Sequence, residues 1–228
     1  MKTGGGSAAQ KRRAGQRAAQ AVEDGMVVGL GTGSTTRYAI DALGEAVAAG
    51  LEIRGIPTSL QARQTAIEAG IPLVGLDEVD GVDLAIDGAD QVADGDLIKG
   101  GGGAHVNEKV IATAAERFLV VADPSKLSDC LERSVPVAVV PDARPLVAAR
   151  VRDAGGEPSL RAAAAKDGPV VTENGNLILD CTFGPISEPA ELATTLSAIP
   201  GVVDHGLFVG VADAIYIGTD DGVAIDRY

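Results

Sequence analysis

The feature that most constrains this chain is a repeated order of a short apolar segment, a turn rich in Gly and Asp, and a segment with helical spacing. Apolar segments lie at residues 26–30, 51–56, 71–74, 82–86 and 118–122, and helical segments at residues 8–23, 34–49, 59–69 and 107–116. Strands that alternate with helices of this length predict a mostly parallel sheet with helices on both faces. We therefore expect an α/β fold of the Rossmann-like, three-layer kind.

The second half of the chain changes character and predicts a smaller unit. A β-branched run at residues 135–140 and helical segments at 143–154 and 188–199 flank a predicted hairpin, whose turn signal is Asn174-Gly175. We predict a small α+β subdomain over residues 132–203, which is also a possible oligomer interface. The main catalytic domain would then comprise residues 8–131 and 204–228, with two apolar runs in 206–218 returning to the main sheet. Residues 1–7 are expected to form a disordered leader.

Charge and composition narrow the classes of partner. The formal net charge is −13, which argues against nucleic acid or an anionic membrane as a partner. No segment approaches the roughly 18 to 20 apolar residues that span a bilayer. The N-terminus lacks the apolar core of a signal peptide, so we expect the protein to be located in the cytoplasm. The Asp-rich, Lys-poor balance is compatible with a protein adapted to high salt. Cys130 and Cys181 lack metal-ligand spacing and are expected to be reduced thiols, so we expect no metal.

A glycine-rich turn follows the first apolar segment, at Gly31-Thr32-Gly33-Ser34-Thr35. Glycines let backbone N–H groups approach an anion, Ser34 can cap the next helix, and the start of that helix adds positive potential. The spacing is not that of a dinucleotide-binding turn, and the Gly-Lys-Ser/Thr of an ATP-binding loop is missing. The hydroxyl run favours a phosphate, although a structural turn without a ligand is the alternative.

Two further turns follow apolar segments and carry charged groups. Asp87-Gly88-Ala89-Asp90 comes after residues 82–86, and Asp123-Pro124-Ser125-Lys126 comes after residues 118–122. The carboxyl ends of parallel strands line the ligand crevice of such sheets, so the aspartates suit sugar hydroxyls and Lys126 an anion. Ordinary turn formation and a solvated loop lysine are the alternatives.

The run Lys99-Gly100-Gly101-Gly102-Gly103 is the most unusual segment of the chain. Four consecutive glycines are entropically costly, so they fit a loop whose backbone lies against a ligand. Glu108 then falls in the first turn of a helix, where a partly buried carboxylate could accept a proton. Taken alone, Glu108 is better explained as a glutamate that stabilises a helix start than as a base. Four such turns at strand ends would converge on one crevice.

These motifs, in this order, resemble the type A family of ribose-5-phosphate isomerases. The resemblance runs from about residue 8 to the end and includes Asn174-Gly175-Asn176 and Ile199-Pro200-Gly201 in the second half. It implies that the chain interconverts ribose 5-phosphate and ribulose 5-phosphate, in the non-oxidative pentose phosphate branch, through a cis-enediolate and without a cofactor. Gln91 departs from the family pattern, in which an acidic residue is usual, and the stretch with His105 and Asn107 is variable.

The resemblance also implies roles for individual residues. Glu108 matches the base. From the chemistry of the reaction we further expect Lys99 and the glycine amides to meet the enediolate oxygen, Asp87 to act in ring opening and Asp90 to orient hydroxyls. The candidate catalytic residues are Glu108, Asp87 and Lys99. The candidate substrate-binding residues are Thr32, Gly33, Ser34, Thr35, Asp87, Gly88, Ala89, Asp90, Lys99, Gly100, Gly101, Gly102, Lys126 and, on a looser match, Lys11. A small-molecule sugar phosphate is the expected partner, and a homodimer or homotetramer the expected assembly.

Three other functions remain open at the level of sequence. Effector domains that sense sugar phosphates share this type of fold, although this chain has no basic DNA-binding module. A transferase acting on coenzyme A thioesters would use a glutamate nucleophile, but this chain is short for that class. The third alternative is a nicotinamide dehydrogenase, and only the glycine-rich turn supports it. Turnover of ribose 5-phosphate separates the isomerase from the sensing domain.

Overall fold

The structure, a computed structural model, describes residues 6–165 and 167–228. The strands found in these residues are β1 (Val27–Leu30), β2 (Arg54–Pro57), β3 (Val82–Gly88), β4 (Gln91–Ala93), β5 (Asp96–Ile98), β6 (Ala115–Ala122), β7 (Val135–Val139), β8 (Glu157–Leu160), β9 (Leu177–Thr182), β10 (Val202–His205), β11 (Leu207–Phe208), β12 (Ala214–Gly218) and β13 (Val223–Arg227). The α-helices are α1 (Ala8–Ala19), α2 (Thr36–Ala48), α3 (Leu60–Glu68), α4 (His105–Ala114), α5 (Arg144–Asp153) and α6 (Pro189–Ser197).

Six strands form the main sheet, in the spatial order β13-β12-β6-β3-β1-β2. Neighbouring strands run parallel except for the edge pair of β12 and β13, which is antiparallel. All residues of β1 and β12 are buried, as expected for strands that are covered on both faces. The predicted α/β fold with a mostly parallel sheet is therefore confirmed.

The residues of each central strand alternate between two hydrophobic cores. Along β3, Leu84 and Ile86 join the core that contains apolar residues of α1 and α2. Ala85 points to the other face and joins the core that contains Ile111 of α4 and Phe208 of β11. Because successive side chains of a strand point to opposite faces, one strand serves both cores and the result is three layers.

A second, antiparallel sheet has the order β10-β7-β9-β8. Its core contains Val135, Val137 and Val139 of β7, with Val147 of α5 and Leu196 of α6 packed against them. A third, small sheet has the order β11-β5-β4. Its Leu97 and Phe208 belong to the core that contains Ile111, whereas its Ile98 and Leu207 belong to the core of the second sheet. This arrangement is compatible with the subdomain expected over residues 132–203, whose boundaries stay a prediction.

Two short segments predicted as strands contribute only single bridges. At residues 71–74, Leu73 bridges to Gly55, and Pro72, which has no N–H to donate, interrupts the ladder. At residues 170–172, which are the first arm of the predicted hairpin, Val171 bridges to Leu177. The Asn174-Gly175 turn itself is present, with the Thr172 N–H donating to Asn176 O at 2.8 Å, so the predicted hairpin has one full arm, β9.

The first apolar run of residues 206–218 does not return to the main sheet. Leu207 and Phe208 pair with Ile98 and Leu97 of β5, so that expectation is wrong, whereas the second run forms β12 of the main sheet as expected. In the predicted leader, residues 1–5 lie outside the described residues. Ser7 is the N-cap of α1, and its hydroxyl accepts from the Gln10 N–H at 3.1 Å. Among the described residues, no helix has both the length and the apolar character needed to cross a membrane.

Candidate active site

The four strand-end turns meet around one pocket. Its lining residues are Thr32, Gly33, Ser34, Thr35, Thr36, Gly88, Ala89, Asp90, Lys99, Gly100, Gly101, Gly102, Glu108 and Lys126. Of the candidate residues, only Asp87 and Lys11 are not among the lining residues. Asp87 is buried beneath the pocket, in contact with Lys99, and Lys11 lies on α1.

Lys99 is the centre of a buried charge cluster. Its Nζ lies 2.9 Å from Asp87 Oδ2 and 3.3 Å from Glu108 Oε2, and it donates to the carbonyl oxygen of Gly88. Burial by itself would lower the pKa of Lys99, but the charges of Asp87 and Glu108 outweigh it and hold that pKa above its ordinary value. Lys99 is therefore a fixed cation on the floor of the pocket.

Glu108 lies in the first turn of α4 and is only 5% exposed. Burial and, after it, the negative charge of Asp87 raise the pKa of Glu108 to about 8, while Lys99 opposes this shift. A carboxylate with a raised pKa is a stronger base than an exposed glutamate, so Glu108 has the proton affinity that general-base chemistry near neutral pH requires.

The glycine run makes a tight turn between β5 and α4. Gly100 and Gly103 have φ of +102° and +84°, and the Gly103 N–H donates to Gly100 O at 2.9 Å. A Cβ at Gly100 would lie 2.7 Å from His105 Nδ1, so both the conformation and the close approach require glycine there. The Gly101 N–H donates to Asp90 Oδ2 at 2.6 Å and is therefore already engaged.

A hairpin that the sequence analysis did not identify sets Asp90 beside Lys99. β4 and β5 pair antiparallel, and the Asp90 N–H donates to Ile98 O at 2.8 Å. The turn residues Asp94 and Gly95 have φ of 45° and 84°, the positive pair that a type I′ turn needs. The Asp-Gly dipeptide was the available signal for this hairpin.

The Gln91 side chain hydrogen-bonds this hairpin to the loop at residues 130–133. Its side-chain oxygen accepts from the Glu132 and Arg133 N–H groups, at 2.9 Å each, and its amide donates to Cys130 O at 3.1 Å. An acidic side chain could not donate the last of these bonds when ionised. The departure at Gln91 is thus explained by local hydrogen bonding outside the pocket.

The glycine-rich turn after β1 packs closely against β3. A Cβ at Gly31 would overlap the Asp87 carboxylate, and the Thr32 N–H donates to Asp87 Oδ1 at 2.9 Å. The Thr32 hydroxyl lies 2.6 Å from Ser59 Oγ, which caps α3. These contacts hold the turn, and with it the start of α2, at the pocket wall.

Helix α2 begins later than predicted and has no side-chain cap at its N-terminus. The expected cap was Ser34, but the N-cap is Thr35, with no side-chain bond to the helix. Within the described residues, the buried hydroxyl of Thr36 has no hydrogen-bond partner. The Arg37 and Tyr38 N–H groups donate to Gly33 O and Thr35 O, so the hydroxyl groups and the positive end of the helix are what this helix start offers to an anion.

Two lysines add positive charge near this wall. Lys126 lies in a 3-10 turn, Pro124–Lys126, directly after β6 and lines the pocket. Burial lowers the pKa of Lys126, and Lys11 is among the neighbouring cations that lower it further. In the part of the chain that the structure describes, no cluster of His, Cys, Asp and Glu is arranged to hold a metal ion, and both cysteines are free thiols.

The chain is similar to one family over most of its length. The family model described as ribose 5-phosphate isomerase A (phosphoriboisomerase A) matches residues 54–222. A protein named ribose-5-phosphate isomerase A from Natronomonas pharaonis is 65% identical over 225 residues, which cover 99% of this chain and 100% of that protein. One with the same name from Methanosarcina acetivorans is 53% identical over 216 residues, which cover 93% of this chain and 92% of that protein.

Solved structures agree with the sequence comparison. Ribose 5-phosphate isomerase A from Methanocaldococcus jannaschii superposes with a TM-score of 0.92 at 42% identity, covering 96% of this chain and 98% of that one. A structure of D-ribose-5-phosphate isomerase in complex with phospho-erythronic acid gives a TM-score of 0.93 at 42% identity, with the same coverage.

Proposed function

The chain belongs to the ribose 5-phosphate isomerase A family, and from this premise we propose that it interconverts ribose 5-phosphate and ribulose 5-phosphate with Glu108 as the proton carrier. The observation that carries the proposal is the contact between a buried carboxylate with a raised pKa and a buried ammonium, 3.3 Å apart, on the floor of a pocket. A base and a fixed cation side by side are what proton transfer next to a carbonyl requires.

The proton moves between two adjacent carbons of the open-chain sugar. Glu108 removes it from C2 of the aldose and returns it to C1, so the same carboxylate is first a base and then an acid. Negative charge develops on the enediolate oxygens between the two transfers. Lys99 meets this charge, and loss of one such preorganised donor typically costs about 3 to 4 kcal/mol of transition-state stabilisation.

The two aspartates have different surroundings, which support different roles. Asp87 is engaged by the N–H groups of Thr32 and Gly88 and by Lys99, so its position supports a role in holding and charging Lys99. Asp90 lines the pocket and is the better placed of the two to meet sugar hydroxyls. Ring opening, which the sequence analysis gave to Asp87, would then fall to Asp90 or to a bound water.

The phosphate is proposed to bind at the start of α2. The Ser34 and Thr35 hydroxyls supply donors, the start of the helix supplies positive potential, and Lys126 supplies a positive charge, with Lys11 nearby. The family relative solved with phospho-erythronic acid supports a phosphorylated ligand for this type of pocket. No cofactor takes part in this scheme.

We also propose that the chain works in the cytoplasm as a homodimer or homotetramer, with residues 132–203 at the interface. Several large apolar side chains of this region are well exposed, among them Val140 (45%), Leu146 (46%) and Val171 (50%). Exposed apolar area of this kind favours burial against a second copy. Light scattering coupled to size-exclusion chromatography gives the assembly directly.

The activity is tested by a coupled assay with ribose 5-phosphate and, in parallel, arabinose 5-phosphate, each with and without EDTA. We expect turnover of ribose 5-phosphate that EDTA does not change. Glu108→Gln should lower kcat by at least about 10³-fold while KM stays within a few-fold, because the shape of the pocket is kept and the base is lost. Glu116→Gln, at an exposed position, is the matched control. Near-normal kcat in Glu108→Gln would remove Glu108 from the mechanism, and a wild type without turnover would favour the sensing domain.

A further inference from the structure

We propose that Arg161 is a positioning residue for the isomerase site: paired with Asp180, it holds the peptide groups of the glycine run in the orientation that the reaction needs. The inference deepens the proposed function and rests on it. Arg161 follows β8 in the second sheet, and its guanidinium reaches the turn that precedes α4. It does not line the pocket, so it would act through the glycine run alone.

The contacts of Arg161 connect the second sheet to the glycine run. Its Nη1 donates to Gly100 O at 2.9 Å, with Gly101 O at 3.4 Å as a second, weaker acceptor. On its other side, Nε donates to Asp180 Oδ2 at 2.9 Å and Nη2 pairs with Asp180 Oδ1. This fork-to-fork pair is mostly buried, with 11% of the arginine side chain and 26% of the aspartate side chain exposed, so the guanidinium is fixed before it meets the glycine carbonyls.

These contacts hold the peptide between Gly100 and Gly101 at both of its polar edges, an arrangement that we call the clamp. The C=O of Gly100 and the N–H of Gly101 belong to one planar, trans peptide and point in opposite directions. Arg161 holds the carbonyl end and Asp90 Oδ2 holds the N–H end at 2.6 Å, so this peptide cannot rotate without breaking a bond.

The same geometry applies to the next peptide, between Gly101 and Gly102. Because Gly101 O accepts from Arg161 at 3.4 Å, the Gly102 N–H at the opposite edge of the same peptide points away from the guanidinium, and Gly102 lines the pocket. The Gly102 N–H thereby becomes an oriented donor for a substrate oxygen. Glycines have no side chain that could hold these planes by packing, so an outside partner is needed to limit the entropy of the run.

Arginine is suited to this position and lysine is not. One planar guanidinium can contact a carboxylate with two N–H groups and still direct another at a carbonyl, whereas an ammonium is a point charge. We therefore expect Arg161→Met to lower kcat about 10- to 100-fold with KM within about threefold, and Arg161→Lys to give a smaller loss, because misplacement acts mainly in the transition state. Guanidinium at millimolar concentration should restore part of the kcat of Arg161→Met.

The control for these variants is Arg150→Met. Arg150 pairs with Asp153 at 3.1 Å, but both side chains are more than half exposed, so its removal should leave kcat unchanged. Hydrogen exchange of the Gly101 and Gly103 amides gives a readout that is independent of turnover. Both amides should exchange faster in Arg161→Met, while those of β7 stay protected.

Two results would overturn the proposal. One is a folded Arg161→Met with wild-type kcat and unchanged exchange at Gly101. The other is a loss of kcat in Arg161→Met and Arg161→Lys that only follows the unfolded fraction, with no rescue by guanidinium and faster exchange throughout the second sheet. A wild type without isomerase activity would contradict the proposed function, and the exchange data would then still decide whether the clamp exists.

Discussion

At the scale of single residues, the chemistry depends on a balance of charges around Lys99. Two carboxylates, Asp87 and Glu108, face one ammonium, and all three side chains are less than a tenth exposed. In such surroundings, each charge changes the proton affinity of the others strongly, because water screens little. Asp87 and Lys99 therefore act on Glu108 in opposite directions.

This opposition predicts two pH shifts of opposite sign. The base must be deprotonated in the free enzyme, so kcat/KM should fall as the pH drops through the pKa of Glu108, which is about 8. Asp87→Asn removes the charge that raises this pKa, so the acid limb of its kcat/KM profile should move to lower pH. Lys99→Met removes the charge that opposes the rise, so its acid limb should move to higher pH. Profiles of kcat/KM from about pH 5 to about pH 10 measure the two shifts, and Asp153→Asn, at an exposed position, is the control.

If both variants move the limb in the same direction, the limb belongs to a group other than Glu108. If neither variant moves it, the carboxylate is not coupled to the cluster and burial alone raises its pKa. In addition, Lys99→Met should lose far more in kcat than in KM, because the contact of Lys99 with the substrate strengthens as the enediolate forms.

The raised pKa of Glu108 also predicts a cost in stability. Between the ordinary pKa of a glutamate and about 8, the folded state binds more protons than the unfolded state, so this group makes stability fall as pH rises through that window. Glu108→Gln removes the effect. We expect its Tm to exceed that of the wild type by roughly 3 °C or more at pH 9, with the gain vanishing near pH 4.5. Calorimetry across this range checks the prediction, and a lower Tm for the variant at pH 9 would contradict it.

At the scale of elements, the short hairpin of β4 and β5 sets the distance between Asp90 and Lys99. Its turn needs positive φ at Asp94 and Gly95, and a Cβ at Gly95 would lie 2.7 Å from Tyr228 Cδ1. Gly95→Val should therefore destabilise the protein by at least about 1 to 2 kcal/mol and lower kcat, while Asp94→Asn should be neutral, because Asn tolerates this conformation.

Gly81→Val is the control for the hairpin, since a Cβ at Gly81 would have open space and the backbone there is not strained. Urea unfolding and kcat, measured on the same samples, separate local damage to the site from global instability. Equal destabilisation by Gly95→Val and Gly81→Val would mean that the turn geometry is unimportant.

Much of the main sheet was predictable because its strands are buried on both faces and so leave continuous apolar runs. β1 and β12 are of this kind along their whole length, β3 along most of it, and β6 over its last five residues. The two-residue strand β11 is too short for its sequence to indicate a partner, and it joined β5 instead of the main sheet. β4 and β5, with three residues each, carried little periodicity, and only their Asp94-Gly95 turn could have revealed them.

The convergence of the site was predictable for a related reason. Parallel strands place their carboxyl ends at one edge, so turns that follow such strands meet, as those with Ser34, Asp90 and Lys126 do. Arg161 left no such signal. It lies 61 residues from Gly100 in the chain, and its role depends on how two separate sheets pack, which no local pattern encodes.

At the scale of the whole molecule, net charge works against both folding and substrate binding. The chain carries 32 acidic and 19 basic residues for a net charge of −13, and its substrate is also anionic. Self-repulsion at low ionic strength opposes the compact state. The pocket counters this field at its phosphate end, because Lys126 and the start of α2 bring positive potential to the place where the phosphate is proposed to bind.

Salt should therefore stabilise the fold and weaken binding at the same time. Between about 0.05 and 1 M KCl the Debye length falls from over ~10 Å to ~3 Å, so repulsion between surface carboxylates is screened and Tm should rise by roughly 5 °C. KM for ribose 5-phosphate should rise over the same range, because the attraction of the pocket for a phosphate is screened too.

A variant with lower charge separates screening from other effects of salt. Glu116→Gln, Asp142→Asn and Asp221→Asn together change three exposed acids and bring the net charge from −13 to −10. Tm of this variant should start higher at low KCl and rise less steeply, whereas the increase of KM with salt should match that of the wild type, because these side chains lie outside the pocket. If Tm of the wild type is independent of KCl, self-repulsion does not limit its stability, and the acidic surface then has no link to salt.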